Sequence, residues 1–108
     1  MKTVKFGTTN LDVASVILGC MRISNAENPV RVIETAVDNG ITFFDHADIY
    51  GRGECERIFA DALGKTEIKR DDLFIQSKCG IVPGKMFDFS KEHIISSVEG
   101  ILQRLDMD

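Results

Sequence analysis

The first thirteen residues alternate between polar and apolar side chains on either side of a turn. Residues 2–6 read KTVKF, residues 7–10 read GTTN, and a second short run ends at Val13. Alternation is typical of a strand with one covered face, and two such runs around a turn predict a β-hairpin. We therefore predict a leading hairpin over residues 2–13.

Beyond the hairpin, short apolar runs alternate with stretches of helical period. Residues 15–19 (SVILG) are apolar without alternation, as in a strand covered on both faces, and further strands are predicted at residues 41–44 and 73–77. A helical stretch follows each strand, and the first and last begin at the good N-caps Asn28 and Ser90.

This order of elements predicts an α/β fold with a parallel sheet. A doubly wound sheet and a (β/α) barrel both begin with a series of βα units. No GxGxxG or GxxxxGK[ST] motif follows the first strand, which argues against dinucleotide-binding Rossmann and P-loop folds.

Composition and charge narrow the classes of protein to which this chain can belong. A chain of 108 residues that is 44% hydrophobic and 28% charged fits neither a disordered nor a membrane protein, and its length allows one domain. A net charge of −4 without a basic cluster argues against nucleic acid as a partner.

There is no apolar run of about 20 residues to span a membrane and no signal-peptide core. Three cysteines without a CxxC pair predict neither a zinc finger nor a disulfide scaffold, so we expect a cytoplasmic protein.

Three polar side chains follow the second and third predicted strands. Asp45 and Tyr50 come after the second strand, and Lys78 comes after the third. The carboxyl ends of parallel strands meet at one edge of a sheet, so these residues are expected to lie close together. An ammonium beside a phenol stabilises the phenolate, and a carboxylate holds the ammonium in place. The set therefore predicts a phenol that donates a proton at neutral pH.

The same segment allows two other hypotheses. In an extended chain His46 and Asp48 lie on one face and could bind a divalent metal, as in a metal-dependent hydrolase of the barrel type. Such a site needs at least three good ligands, and no other histidine follows a strand, so no metal is our main expectation. A non-catalytic, barrel-derived module that binds a protein partner is the third hypothesis.

Several segments resemble the aldo-keto reductases, a family of NADPH-dependent (β/α)8 barrels. Residues 40–63 (GITFFDHADIYGRGECERIFADAL) are similar to the family's second-strand signature, in which an aspartate stands five residues before a tyrosine and a glutamate follows in the next helix. Asp45, Tyr50 and Glu56 occupy those places, although a solvated helix face would explain Glu56 equally well. LFIQSKCG resembles the family's lysine strand and ILGCMRI its first barrel strand.

The resemblance covers the whole chain and implies both a fold and an activity. Residues 1–108 would be the N-terminal part of a single (β/α)8 TIM-barrel domain, and the enzyme would reduce aldehydes or ketones with NADPH. Asp45, Tyr50 and Lys78 match three of the four residues of the family's catalytic tetrad.

The resemblance also implies binding roles. Asp45 and three residues at the end of the first barrel strand would lie at the nicotinamide end of NADP(H), and Tyr50 would bind the small-molecule carbonyl substrate. The three residues are Gly19, Cys20 and Met21. By its position past that strand, Arg22 is a further candidate for binding the substrate, through a carboxylate, or a cofactor phosphate, although a surface role would explain it at least as well.

The chain departs from the family pattern in one catalytic position and in length. The fourth tetrad residue is a histidine at the end of the fourth strand, and neither His46 nor His93 has that position. A complete barrel needs about 250 residues. We therefore predict an N-terminal segment that is inactive by itself. Its first and third strands would have unpaired edges, so we expect the isolated chain to self-associate through them.

Overall fold

A computed structural model describes residues 1–108 and confirms the predicted hairpin. Strand β1 (Thr3–Lys5) pairs antiparallel with β2 (Asp12–Ala14), and Val4 lies opposite Val13. The ring of Phe6, which follows β1, lies 6.0 Å from the ring of Phe43. The hairpin therefore packs against the sheet that follows it.

Three short parallel strands form the central sheet. They are β3 (Leu18–Gly19), β4 (Phe43–Asp45) and β5 (Phe74–Gln76), in the spatial order β3-β4-β5. The sequence places them correctly but predicts longer strands. Their order in space follows their order in the chain, as at the start of a barrel.

Three helices connect or follow the strands. They are α1 (Pro29–Asp38), α2 (Glu54–Gly64) and α3 (Lys91–Leu105). Both predicted caps are confirmed, because Asn28 accepts a hydrogen bond from the Arg31 amide and Ser90 accepts one from the His93 amide. Helix α2 contacts both α1 and α3. The helices thus follow one another in chain order, as in a (β/α) barrel and unlike a doubly wound sheet, where they divide between two faces.

Strand β4 separates two layers of side chains. Phe44 is fully buried and lies 5.1 Å from Phe59 of α2, ring centroid to ring centroid. Its neighbour Phe43 points the other way and stacks on Phe74 of β5 at 6.0 Å. Successive side chains of a strand point to opposite faces. Residues 43 and 45 therefore share the face opposite the helices.

Residues 80–89 form a second hairpin, which the predicted strands do not include. Strands β6 (Ile81–Val82) and β7 (Met86–Phe87) pair antiparallel around a turn in which Gly84 has a φ of +73°. Each strand has only two residues, too short a run for alternation to reveal.

The apolar face of α3 is only partly covered. Ile101 and Leu105 are buried against the core, whereas Ile94, Ile95 and Val98 are between 41% and 49% exposed. Helix α2 contacts α3 and thus covers only part of this face. None of the three helices combines the length and apolarity needed to cross a bilayer.

Candidate active site

Two neighbouring strands bring a lysine and an aspartate together at their carboxyl ends. The Lys78 ammonium donates hydrogen bonds to both carboxylate oxygens of Asp45, each at 2.8 Å, and to the main-chain oxygen of His46 at 2.7 Å. Gln76 Nε2 donates a further hydrogen bond to Asp45 Oδ1 at 2.6 Å. Three oxygen atoms therefore hold the ammonium, and two donors fix the carboxylate.

Strand register explains this convergence. Gly19, Asp45 and Gln76 lie side by side in β3, β4 and β5, and Lys78 follows Gln76 by two residues. Alternation places Gln76 and Lys78 on the same face as Asp45. Gln76 was not predicted as a site residue, although its spacing from Lys78 is the signal that would have identified it.

The pair is ionised at neutral pH. Burial alone would raise the pKa of Asp45, but hydrogen bonds from Lys78 and Gln76 and the ammonium charge outweigh it and hold the pKa below the ordinary 3.8. Burial alone would lower the pKa of Lys78, but its interactions with Asp45 and Tyr50 raise it above 10.5. A carboxylate therefore faces an ammonium throughout the physiological pH range.

Tyr50 approaches the lysine from the turn that follows β4. Lys78 Nζ lies 5.1 Å from the centroid of the Tyr50 ring. Residues 51–53 all have positive φ, between 56° and 93°, and lead directly into α2. Glycine adopts this conformation without strain, which explains the glycines at both ends of that segment. The structure thus brings together the predicted residues Asp45, Tyr50 and Lys78.

Tyr50 and Lys78 line a cavity of about 390 Å³. This volume lies in the range of small-molecule sites. The other walls are mainly apolar and come from the turn after β4, the end of β5 and the β6–β7 hairpin. They are Ala47, Asp48, Ile49, Cys79, Ile81, Phe87 and Phe89. The residues of the hairpin were not predicted, because the hairpin itself was not.

His46 belongs to the layer between sheet and helices. Its side chain is fully buried, and its ring meets the ring of Phe59 edge-on at 4.5 Å. Neither ring nitrogen has a hydrogen-bond partner. The structure contains no group of three or more His, Cys, Asp or Glu side chains placed to hold a metal ion. The hypothesis of a metal site on His46 and Asp48 is therefore not supported.

Acidification is expected to destabilise the protein through His46. Burial is the main reason that its pKa falls from 6.5 to about 4; Lys78 lowers it further and Asp45 opposes the change. Between these values the unfolded chain binds a proton that the folded chain does not. The free energy of unfolding should therefore decrease as pH falls from about 6.5 to about 4, by on the order of 3 kcal/mol.

Urea unfolding across this pH window measures the effect. His46→Leu is expected to remove most of the dependence, and His93→Gln is the control at the other histidine. If the free energy of unfolding depends on pH as strongly in His46→Leu as in the parent, the assignment of this dependence to His46 is wrong. The lowered pKa of Asp45 acts in the same direction, but mainly near and below its ordinary value of 3.8, at the acid end of the window.

Glu56 does not lie on a solvated helix face, as one interpretation of the sequence held, because its side chain is fully buried. Its carboxylate accepts hydrogen bonds from Arg104 Nε at 2.8 Å and from Ser77 Oγ at 2.9 Å. Gly53 makes room for the arginine, since a Cβ there would lie only 3.0 Å from Arg104 Cδ. Glu56 thus ties α2 to α3 and to the residue that precedes Lys78.

The residues predicted after the first strand do not line the Tyr50 cavity. Gly19 and Met21 are exposed, whereas Cys20 is 1% exposed and points into the core. Burial, with smaller effects of Asp45 and Cys55, raises the pKa of the Cys20 thiol to about 12. Contact between Cys20 and a ligand would therefore have to involve its main chain.

Arg22 also lies away from Tyr50. Its side chain is exposed and lines a separate cavity of about 270 Å³ beside β3 and the start of α1. The structure therefore does not bring Arg22 into the same cavity as Tyr50 and Lys78.

Comparison with known proteins shows similarity along nearly the whole chain. The Aldo/keto reductase family model matches residues 5–108. The uncharacterized oxidoreductase YcsN of Bacillus subtilis is 38% identical over 113 aligned positions, which cover 92% of this chain and 37% of that protein. The uncharacterized oxidoreductase YqkF of the same organism is 34% identical, with 100% and 36% covered.

Solved structures show the same relationship. The holo form of aldo-keto reductase AKR11C1 from Bacillus halodurans superposes with a TM-score of 0.85 at 32% identity, covering 100% of this chain and 37% of that chain. The chain thus spans little more than a third of the length of these relatives. The extent of the family match, the identities and the shared fold together establish that the chain belongs to the Aldo/keto reductase family.

Proposed function

We propose that this chain contributes Asp45, Tyr50 and Lys78 to the active site of an enzyme that reduces aldehydes or ketones with NADPH. The observation that carries the proposal is the Lys78 ammonium, held by Asp45 and lying 5.1 Å from the centre of the Tyr50 ring. Both Lys78 and Tyr50 line a cavity large enough for a small carbonyl compound.

Each of the three side chains has a distinct role in this proposal. The Tyr50 hydroxyl donates a proton to the carbonyl oxygen of the substrate. The Lys78 charge stabilises the phenolate that remains, and Asp45 keeps the ammonium in place. Neither His46, buried against Phe59, nor His93 of α3 takes the place of the histidine that orients the carbonyl in the family pattern.

The residues present fit the nicotinamide end of the cofactor. Gly19 lies beside Asp45 in the sheet, and a Cβ added at Gly19 would meet no atom within 4 Å. This open space borders a carboxylate that can accept hydrogen bonds from a ribose. Gly19, Met21, Asp45 and the main chain of Cys20 would hold this end of NADP(H). The bound cofactor supplies the hydride.

We further propose that these residues form part of one (β/α)8 barrel domain that works in the cytoplasm. The single helix layer and the chain-ordered strands support the barrel. The three free cysteines support a reducing compartment.

Loss of Lys78 is expected to abolish most of the reductase activity. The assay follows oxidation of NADPH by simple aldehydes, catalysed by the natural polypeptide that contains these residues. Lys78→Met should lower kcat by roughly 100-fold or more, because the phenolate loses its cation. Lys65→Met is the matched control, since Lys65 forms an ion pair with Asp61 on the surface of α2 at 3.1 Å. Equal activity of the two variants would contradict the proposal.

The isolated 108-residue chain is expected to self-associate. The outer edges of β3 and β5 have no partner strand in the central sheet. Such edges pair readily with other chains. Sedimentation velocity at micromolar concentration should therefore show oligomers, and a cooperatively folded monomer would refute this proposal.

A further inference from the structure

Gln76 donates a hydrogen bond to the Asp45 carboxylate from the neighbouring strand. The two residues are paired in the register of β4 and β5, and Gln76 Nε2 lies 2.6 Å from Asp45 Oδ1. The main chain of Gln76 is fixed as well, because its carbonyl oxygen accepts a hydrogen bond from the His46 amide at 2.8 Å. The Gln76 side chain therefore extends from a backbone that is held directly beside Asp45.

The two oxygens of the Asp45 carboxylate have unequal numbers of donors. Oδ1 accepts from both Gln76 and Lys78, whereas Oδ2 accepts from Lys78 alone. A carboxylate oxygen has two lone pairs, so Oδ1 is saturated and Oδ2 can accept from one further donor. Gln76 thus makes Oδ2 the oxygen that remains available to a ligand.

The position of the Lys78 ammonium depends on the orientation of this carboxylate. The Lys78 side chain is 46% exposed, so hydrogen-bond acceptors rather than packing hold its flexible stem. Two of the three oxygens that it contacts belong to Asp45. A carboxylate with one mobile donor can turn with that donor, whereas a second donor on a fixed backbone stops the turn. The Gln76 hydrogen bond therefore restrains the ammonium, whose Nζ lies 5.1 Å from the centroid of the Tyr50 ring.

A neutral donor suits this position better than a charged side chain. A second cation at position 76 would compete with Lys78 for the carboxylate, and an anion there would repel Asp45. The amide of Gln76 holds Oδ1 by a hydrogen bond and leaves the charge of Asp45 to the ammonium.

We propose that Gln76 is a positioning residue of this site: it fixes the Asp45 carboxylate so that both oxygens face the Lys78 ammonium, and it reserves Oδ2 for a donor from a bound ligand. Its importance for carbonyl reduction rests on the proposed function, because Lys78 acts there on Tyr50. The restraint on Asp45 and Lys78 is a property of the chain itself and does not depend on any reaction.

Two substitutions of similar size separate the hydrogen bond from the space that the Gln76 side chain fills. Both are made in the natural polypeptide that contains these residues. Gln76→Met keeps the length but removes the donor, and it should lower kcat for aldehyde reduction roughly tenfold, the effect of one hydrogen bond to a charged group. Gln76→Glu places a second carboxylate against Asp45 and should lower kcat further. Gln103→Met is the control and should leave kcat unchanged, since Gln103 is an exposed glutamine of α3.

Crystal structures of the parent and of both variants provide a readout that does not depend on activity. In each variant the Asp45 carboxylate should turn, and Lys78 Nζ should lose its hydrogen bond to one of the two carboxylate oxygens. Thermal denaturation checks the fold, and either variant suffices where the other does not fold.

The two readouts distinguish failure of this inference from failure of the reductase proposal. If the parent oxidises no NADPH but the variants show the structural change, the reductase proposal fails and the positioning role of Gln76 stands. If Asp45 and Lys78 keep both hydrogen bonds in Gln76→Met and Gln76→Glu, the positioning role is overturned. It is also overturned if an active parent and both variants have the same kcat.

Discussion

In the natural polypeptide that contains these residues, Tyr50→Phe is expected to lower kcat for aldehyde reduction by roughly 10²- to 10⁴-fold. The substitution removes the hydroxyl that we propose as the proton donor but keeps the ring, which packs against the hydrophobic core and whose centroid lies 5.1 Å from Lys78 Nζ. Substrate contacts with the ring remain, so KM should change much less than kcat. Steady-state kinetics with NADPH and a simple aldehyde measure both constants.

The fold of this variant should be largely unaffected, because the substitution keeps the ring that packs against the hydrophobic core. Its unfolding midpoint in urea should match that of the parent. Retention of more than about a tenth of the parent kcat would identify another proton donor. Asp48, which lines the same cavity, would then be the next residue to replace.

Glu56→Ala is expected to lower the free energy of unfolding by about 3–5 kcal/mol. The substitution leaves the Arg104 guanidinium, which is 20% exposed, without its carboxylate partner. It also removes the acceptor of the Ser77 hydroxyl and opens a cavity between α2 and α3. Urea unfolding of parent and variant measures the difference.

The same helix supplies the control. Glu54 pairs with Arg57 at 2.7 Å, but its side chain is 61% exposed, and Glu54→Ala should cost less than about 1 kcal/mol. The double variant Glu56→Leu with Arg104→Leu removes both charges and should recover much of the stability lost in Glu56→Ala. Equal losses in Glu54→Ala and Glu56→Ala would show that burial of the Glu56–Arg104 pair has no energetic consequence.

The order of elements was predictable because each local pattern agrees with the fold. Asn28 and Ser90 cap their helices as expected, and the hairpin pairing extends only one residue beyond the predicted range, to Ala14. The convergence of Asp45 and Lys78 was also predictable, since it follows from strand ends in a parallel sheet. The distances between these side chains were not predictable, because they depend on the register of Asp45 against Gln76.

Contacts between distant elements could not be predicted. Glu56 has the sequence context of a surface residue in the first turn of a helix, and only the approach of Arg104 from 48 positions along the chain explains its burial. The part of the cavity lined by Phe87 and Phe89 depends on a hairpin with two residues per strand. Such short pairing is determined by tertiary contacts rather than by periodicity.

Mutations at positions 45 and 46 should affect the position of Lys78 unequally, because one of its acceptors is the main-chain oxygen of His46. No amino-acid substitution at position 46 removes the main-chain carbonyl group, so Lys78 keeps this acceptor whichever side chain is present there. Replacement of Asp45 by Asn would also leave a neutral side-chain oxygen beside the ammonium. Under mutation the position of Lys78 should therefore loosen gradually at position 45, and it should be insensitive to the side chain at position 46.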